Sequence, residues 1–400
     1  MRTGMGSAAA LLARGVVAGE GYRNQTIALD IVVVGGGAAG AHPTGGHTAL
    51  YVDSVTGKAI NVGVQAWMEY KDTFDFPKRM NVSTSGSMQF TPLNYNHVDF
   101  KTGQPVDDWV APAADAMYLA LQRYLDILEK YEDITLPGFD NFPEAMSVPE
   151  DLARAFGDFI EKYDLSAAVP QIWDSTAMGL GNTMDVPNFF VTQASGVPMV
   201  RALLGTGAAA TPASGRLYDL FESVASFLGD DVFYSSTVVS TTQRDDDGVS
   251  LKLQGADGHV AYVDAKRLLF AFESTDESLA LFGTDETEQE VVGRSPAPGS
   301  TNYTVFPLAS QVGSIIYNGG TEGLFQFTAV GAEEDTAERM KARIAQSIDA
   351  MIAAGTIPKA NGTVTFPAFA NHGKMYPQVT DDELRAGFLS ILCRVLDCFV

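Results

Sequence analysis

Apolar and polar positions recur with two different periods along this chain, and the places where the period changes outline its elements. Leu29-Asp30-Ile31-Val32-Val33-Val34 is a short run with apolar residues on both sides, the pattern of a parallel strand covered on both faces. Residues 48–53 and 58–64 read as two strands around the turn Ser54-Val55-Thr56-Gly57. Residues 71–115 carry no strong period. Over 116–131, Met117, Leu119, Leu121, Tyr124, Leu125 and Leu128 recur at helical spacing. A second helix is expected over 149–163, opened by Pro149 with Glu150 and Asp151 in its first turn. Further helices are expected within 164–212, one of them near 200–204, and over 215–228. The period then shortens: 232–241, 248–254 and 260–272 read as three strands, with turns at Asp246-Asp247-Gly248 and Ala256-Asp257-Gly258. A strand pair at 312–317 and 324–330, a long helix over 333–354, a strand at 363–368 and a last helix over 381–395 complete the pattern.

One βα-type start, a helical middle, an antiparallel excursion and a mixed ending do not fit one continuous doubly wound sheet. They fit a mixed α/β (α+β) chain: a Rossmann-like nucleotide-binding domain with a helical and antiparallel-sheet substrate domain inserted into it. The expected division gives residues 25–66, 213–275 and 362–400 to the nucleotide domain, and 67–212 with 276–361 to the substrate domain.

Composition narrows the function. The 400 residues are 46% hydrophobic and 19% charged, as in a folded globular protein. A net charge of −23 disfavours nucleic acid and anionic lipid as partners. No apolar run is long enough for a transmembrane helix. Arg2, the apolar run 8–13 and the segment 15–19 resemble a signal peptide within residues 1–24, although Arg14 interrupts the apolar stretch. N-x-S/T triplets at Asn24, Asn81, Asn302 and Asn361 add to the case for export, so the localisation reading stays divided between secreted and cytoplasmic. The only cysteines, Cys393 and Cys398, exclude a disulfide scaffold, and the scattered histidines form no metal-ligand spacing, so no metal is expected.

The chemistry-bearing motif is Gly35-Gly36-Gly37-Ala38-Ala39-Gly40, directly after the apolar run. In a strand–turn–helix context Gly35 permits the tight turn, Gly37 lets the main chain approach a phosphate, and Gly40 lets the next helix pack on the strand. The helix N-terminus then offers free N–H groups to a pyrophosphate. The expected continuation is missing. A parallel crossover takes roughly a dozen or more residues, whereas 41–48 hold Pro43, Gly45 and Gly46 and leave no room for a full helix. The ribose-binding acid expected about 20 residues on is also absent. Asp53 is the nearest candidate and sits at a hairpin turn.

Three glycine-bearing segments in order, 32–40, then Gly45-Gly46-His47-Thr48, then Ile60-Asn61-Val62-Gly63-Val64-Gln65-Ala66-Trp67, resemble the flavin amine oxidase superfamily. Within it, the chain is similar to the fungal FAD-dependent oxidoreductases related to β-cyclopiazonate dehydrogenase, over about residues 25–390. The resemblance implies a flavoenzyme that holds FAD and takes a hydride from a small-molecule substrate. It implies that Gly35, Gly37, Ala38, Ala39 and Gly40 face the pyrophosphate, and that Gly45, Gly46 and His47 give a second close approach along the FAD. It places Gly63, Val64 and Gln65 near the flavin ring and Val238 where a strand meets the adenine. It also implies two losses. The first helix, second strand and ribose-binding glutamate are replaced by residues 41–44, and the family's closing flavin-contacting segment has no counterpart in 390–400. Loss of the ribose carboxylate removes hydrogen bonds to a charged group, about 1.5–3 kcal/mol. Loss of the crossover helix exposes one face of strand 29–34.

Two other readings accompany the flavoenzyme. One is an inactive truncated homologue with an impaired flavin site, and the other, weaker one is an NAD-linked dehydrogenase. No catalytic residue is nominated. His97 and His372 are acid–base candidates only because histidine titrates near neutrality. Trp67 divides between the flavin pocket and the core, and Asp245-Asp246-Asp247 reads as a solvated turn.

Overall fold

The computed structural model describes residues 9–13, 26–35, 48–87, 96–139, 141–175, 177–272, 276–289, 313–317, 320–331, 335–359, 362–370 and 378–396. Its main sheet contains β1 (Ala9–Ala13) and β2 (Thr26–Val34). Two small ladders follow in the chain. β3 (Leu50–Val52) pairs with β4 (Ala59–Asn61), and β5 (Trp67–Met68) pairs with β6 (Ala209–Ala210). The main sheet resumes with β7 (Val232–Asp245), β8 (Gly248–Gly255) and β9 (Val260–Phe270). A last hairpin joins β10 (Gly313–Ile316) and β11 (Gln326–Ala329).

The five main strands close into a barrel in the order β1-β2-β9-β8-β7. β2 and β9 run parallel, with Leu29 opposite Ala265 and Val34 opposite Phe270, so their C-terminal ends meet. β7, β8 and β9 form the antiparallel meander the alternation predicts. β1 pairs antiparallel with both β2 and β7, and so takes the β2 edge where a second parallel strand was missed in the sequence. It lies within the segment read as leader-like, and the leader reading gains no support from the fold.

The barrel core is built from Ile27, Leu29, Val32 and Val34 of β2 with Val238, Leu251 and Val263 of the meander. Leu279 and Phe282, in a helical turn at 276–282, close it. The expectation that strand 29–34 is covered on both faces is corrected. Asp30 and Ile31 are both exposed, Ile31 to 48%, and only Leu29, Val32 and Val34 are buried.

The helical core is separate. Ala114–Leu128 presents Leu121, Tyr124, Leu125 and Leu128 to Phe156, Phe159 and Phe189. Tyr124 meets Phe156 and Phe159 edge-on at 6.5 and 6.1 Å between ring centres. The helix expected over 149–163 is two helices, Glu150–Ala153 and Phe156–Tyr163. Arg154 turns extended between them, so that Ala155 bridges to Pro187 and Asn188 N donates to Arg154 O. Similarly, the last helix is broken into Asp381–Arg385, opened by a Thr380/Glu383 capping box, and Phe388–Leu396. Gly387 makes the break at φ +76°, where a Cβ would lie 2.7 Å from Ala145 N. Val379, Leu384, Phe388 and Leu389 pack into the helical core, although residues 362–400 were expected with the nucleotide domain. Residues 276–282 were expected with the substrate domain and pack into the barrel instead. The strand expected at 363–368 is absent: 362–370 has no regular structure. Among the described residues, no helix is long and apolar enough to cross a membrane.

Candidate functional site

Two places carry the described residues that the sequence nominates. The first is the C-terminal end of β2. Val34 O accepts from Ala271 N at 2.7 Å, and Gly35 follows at φ +118°. A Cβ on Gly35 would lie 2.3 Å from Ala271 O, so glycine is required here by the chain's own main chain as well as by the turn. Phe270, Phe272 and Phe282 cluster beside it, with Phe270 and Phe282 edge-on at 4.8 Å. Val238 lies across the sheet, 3% exposed and opposite Leu253. Its side chain is committed to the barrel core. Gly37, Ala38, Ala39, Gly40, Gly45, Gly46 and His47 lie outside the described residues, as does His372.

The second place is the segment 62–66, between β4 and β5. Val62 N donates to Ala49 O at 2.7 Å. Trp67 is opposite Ala210, and Glu69 N donates to Ala208 O at 2.8 Å. Between these ties Gly63 is half-buried while Val64 and Gln65 are exposed, so the segment presents its tip to solvent. Trp67 is half-buried at its base. Among the described residues, no sheet pairing and no hydrophobic cluster joins this segment to the end of β2.

Asp53 is not a free ribose ligand. Its Oδ2 accepts from Thr321 N at 2.9 Å, from Thr321 Oγ1 at 2.7 Å and from the Thr56 hydroxyl, and its Oδ1 accepts from Val55 N at 3.2 Å. The Thr56 and Thr321 hydrogen bonds hold its carboxyl far below the usual carboxylate range. The turn role read in the sequence is present. The tie to the β10–β11 hairpin had no signal in the sequence, because Thr321 is 268 residues away.

A titratable cluster missed in the sequence lies in the helical half. Asp151, 6% exposed, accepts from Lys162 Nζ at 2.6 Å, Tyr163 Oη at 2.5 Å and Tyr131 Oη at 3.1 Å, and pairs with Arg154 Nε at 3.3 Å. Burial works against its charge, but the Lys162, Tyr163 and Tyr131 hydrogen bonds outweigh it and lower the pKa. Burial and the neighbouring carboxylate push Tyr131 up to about 12. With every carboxylate oxygen engaged, the cluster ties helices together rather than presenting a reactive group. His97 lies against Trp109, with ring centres 3.8 Å apart and planes tilted by 49°. Asp245-Asp246-Asp247 forms the β7–β8 turn, where Asp247 N donates to Asp245 Oδ1 at 2.9 Å.

These residues fit a dinucleotide cofactor in part. A parallel strand ending in a glycine at the sheet's C-terminal edge is the entry that a pyrophosphate site requires. The ribose-binding carboxylate has no counterpart among the described residues.

Comparison with known proteins finds relatives named FAD-dependent oxidoreductase and beta-cyclopiazonate dehydrogenase, as the resemblance implies. No family model matches the chain. FAD-dependent oxidoreductase pigF of Monascus ruber is 27% identical over 406 residues, covering 90% of this chain and 83% of the relative. FAD-dependent oxidoreductase dpchF of Colletotrichum higginsianum is 28% identical over 425 residues, covering 91% and 85%. Beta-cyclopiazonate dehydrogenase of Aspergillus oryzae is 25% identical over 402 residues, covering 91% and 85%. Among solved structures, a redesigned putrescine oxidase aligns over 82% of this chain and 81% of its own, at 15% identity and a TM-score of 0.45.

Proposed function

We propose that this chain is an FAD-dependent oxidoreductase of the amine-oxidase type, taking a hydride from a small organic substrate. The observation that carries this reading is the likeness to relatives named FAD-dependent oxidoreductases, which spans nine tenths of the chain and so includes both the barrel and the helical half. When bound, FAD supplies the electron acceptor. The chain's own share is binding and placement. Gly35, Gly37, Ala38, Ala39 and Gly40 admit the pyrophosphate to main-chain N–H groups. Gly45, Gly46 and His47 extend that approach, Gly63, Val64 and Gln65 face the ring, and the Val238 main chain meets the adenine. The helical half shapes the substrate's side and excludes water from it. Proton removal is assigned to no residue.

A second reading, a homologue that has lost flavin binding, is favoured by one specific pair of facts. Asp53 is committed to Thr321, and the outer face of β2 stands open at Ile31. The visible spectrum of the purified protein, before and after excess FAD and desalting, separates the two. Retained flavin bands support the enzyme, and a protein that stays colourless supports the second reading. Identifying the nucleotide released by heat distinguishes FAD from a nicotinamide cofactor.

A further inference from the structure

Asn61 is the last residue of β4, two positions before Gly63, and the functional reading gives it no role. Its side chain reaches a turn 154 residues along the chain. Nδ2 donates to Gly215 O at 2.9 Å, and Oδ1 accepts from Leu217 N at 3.2 Å. A primary amide has one donor end and one acceptor end, so a single orientation satisfies both main-chain groups. The gripped turn is itself held: Gly215 lies at φ +74°, and Leu217 is 1% exposed where the helix Tyr218–Leu228 begins. On the other side of the tip, Glu69 N donates to Ala208 O at 2.8 Å and the Glu69 carboxylate accepts from Ala208 N at 2.8 Å. Segment 62–66 is therefore tied at both ends to one stretch, 208–217. Val64 at its tip is 42% exposed.

We propose that Asn61 is a positioning residue. Its amide clamp fixes the Gly63–Gln65 tip relative to the 215–217 turn, and thereby sets how the tip meets the cofactor's ring. This rests on the reading that puts the tip at the flavin; Asn61 itself is not a cofactor contact. The substitution Asn61→Asp isolates the clamp because it barely changes shape. It keeps the acceptor for Leu217 N and turns the donor into a second anionic acceptor facing the Gly215 carbonyl, so repulsion replaces a hydrogen bond. Asn61→Ala removes both bonds.

The test uses the full chain with added FAD. It measures FAD affinity, the absorbance and fluorescence of bound flavin, and amide hydrogen exchange over 62–68. Asn61→Asp is expected to weaken FAD binding by about tenfold, to shift the bound-flavin spectrum and to speed exchange at 62–66. A control, Tyr163→Phe, removes a hydroxyl from the Asp151 cluster. It is expected to lower stability while leaving the spectrum and the exchange at 62–66 as in the wild type, which separates positioning from general destabilisation. Unchanged affinity and spectrum in Asn61→Asp, with a wild type that binds FAD, overturn the proposal and leave the functional reading standing. A wild type that takes up no FAD overturns the functional reading instead. In that case the clamp is judged by exchange alone: faster exchange at 62–66 supports it, and unchanged exchange overturns it.

Discussion

The helical core and the barrel bury comparable kinds of side chain but differ in how completely they are enclosed. Around Tyr124, the side chains of Phe156, Phe159 and Phe189 are each fully buried, and the segment 379–389 returns from the far end of the chain to seal the cluster. The barrel seals its inner face equally well, with Leu251 and Val263 at 0% exposure. Its outer face is different: Ile31 is 48%, Tyr234 44%, Tyr262 37% and Leu269 37% exposed. Ile31 and Leu269 lie on the neighbouring parallel strands β2 and β9, where a crossover helix would pack. Among the described residues, each half holds its own buried core.

This difference can be broken at several points. The largest effect is expected from Phe159→Ala. It removes a fully buried ring that touches Tyr124, Phe156 and Tyr163, and should cost about 3–5 kcal/mol in denaturant unfolding. Exchange protection should fall first in 114–204. Leu251→Ala probes the other core, with an expected cost of about 2–5 kcal/mol. Protection should then be lost in β7–β9, while the helices keep theirs if the two cores unfold separately. Loss at the same denaturant concentration in both halves would show one cooperative unit.

Asp151→Asn sharpens the comparison through pH. The Asp151 carboxyl has a lower pKa in the fold than its ordinary value of about 3.9. Its contribution is therefore complete above the unfolded pKa and disappears as pH falls through the folded one. The variant should be less stable by about 1–3 kcal/mol at neutral pH, and the gap to the wild type should close in acid, as followed by thermal unfolding across pH. A gap that does not change with pH would contradict the ionic role. The smallest effect belongs to the open face. Ile31→Ser should change stability by no more than about 0.5 kcal/mol, because the side chain is half in water already. A large loss would mean that this face is covered in solution.

What the sequence made legible follows from range. The 114–131 helical region, the β7–β9 meander, the β10–β11 hairpin and the helix Ala337–Ala354 announce themselves by local period and turn chemistry. The breaks at Arg154 and Gly387 do not, because each exists to make a distant contact: Ala155 to Pro187, and Gly387 against Ala145. The phase change at Asp30-Ile31 is hidden inside a run that reads as apolar on both sides. At the candidate site, the glycine motif was legible as composition. The commitment of Asp53 to Thr321 and of Asn61 to the 215–217 turn was not, since nothing local selects those partners.

The most direct test of the central claim is the flavin content of the purified chain after incubation with FAD and desalting, compared with that of Gly37→Val. The claim predicts near-stoichiometric FAD in the wild type, little in the variant, and the same thermal unfolding of the helical core in both. A wild type that retains no flavin, or a variant that retains as much as the wild type, would contradict it.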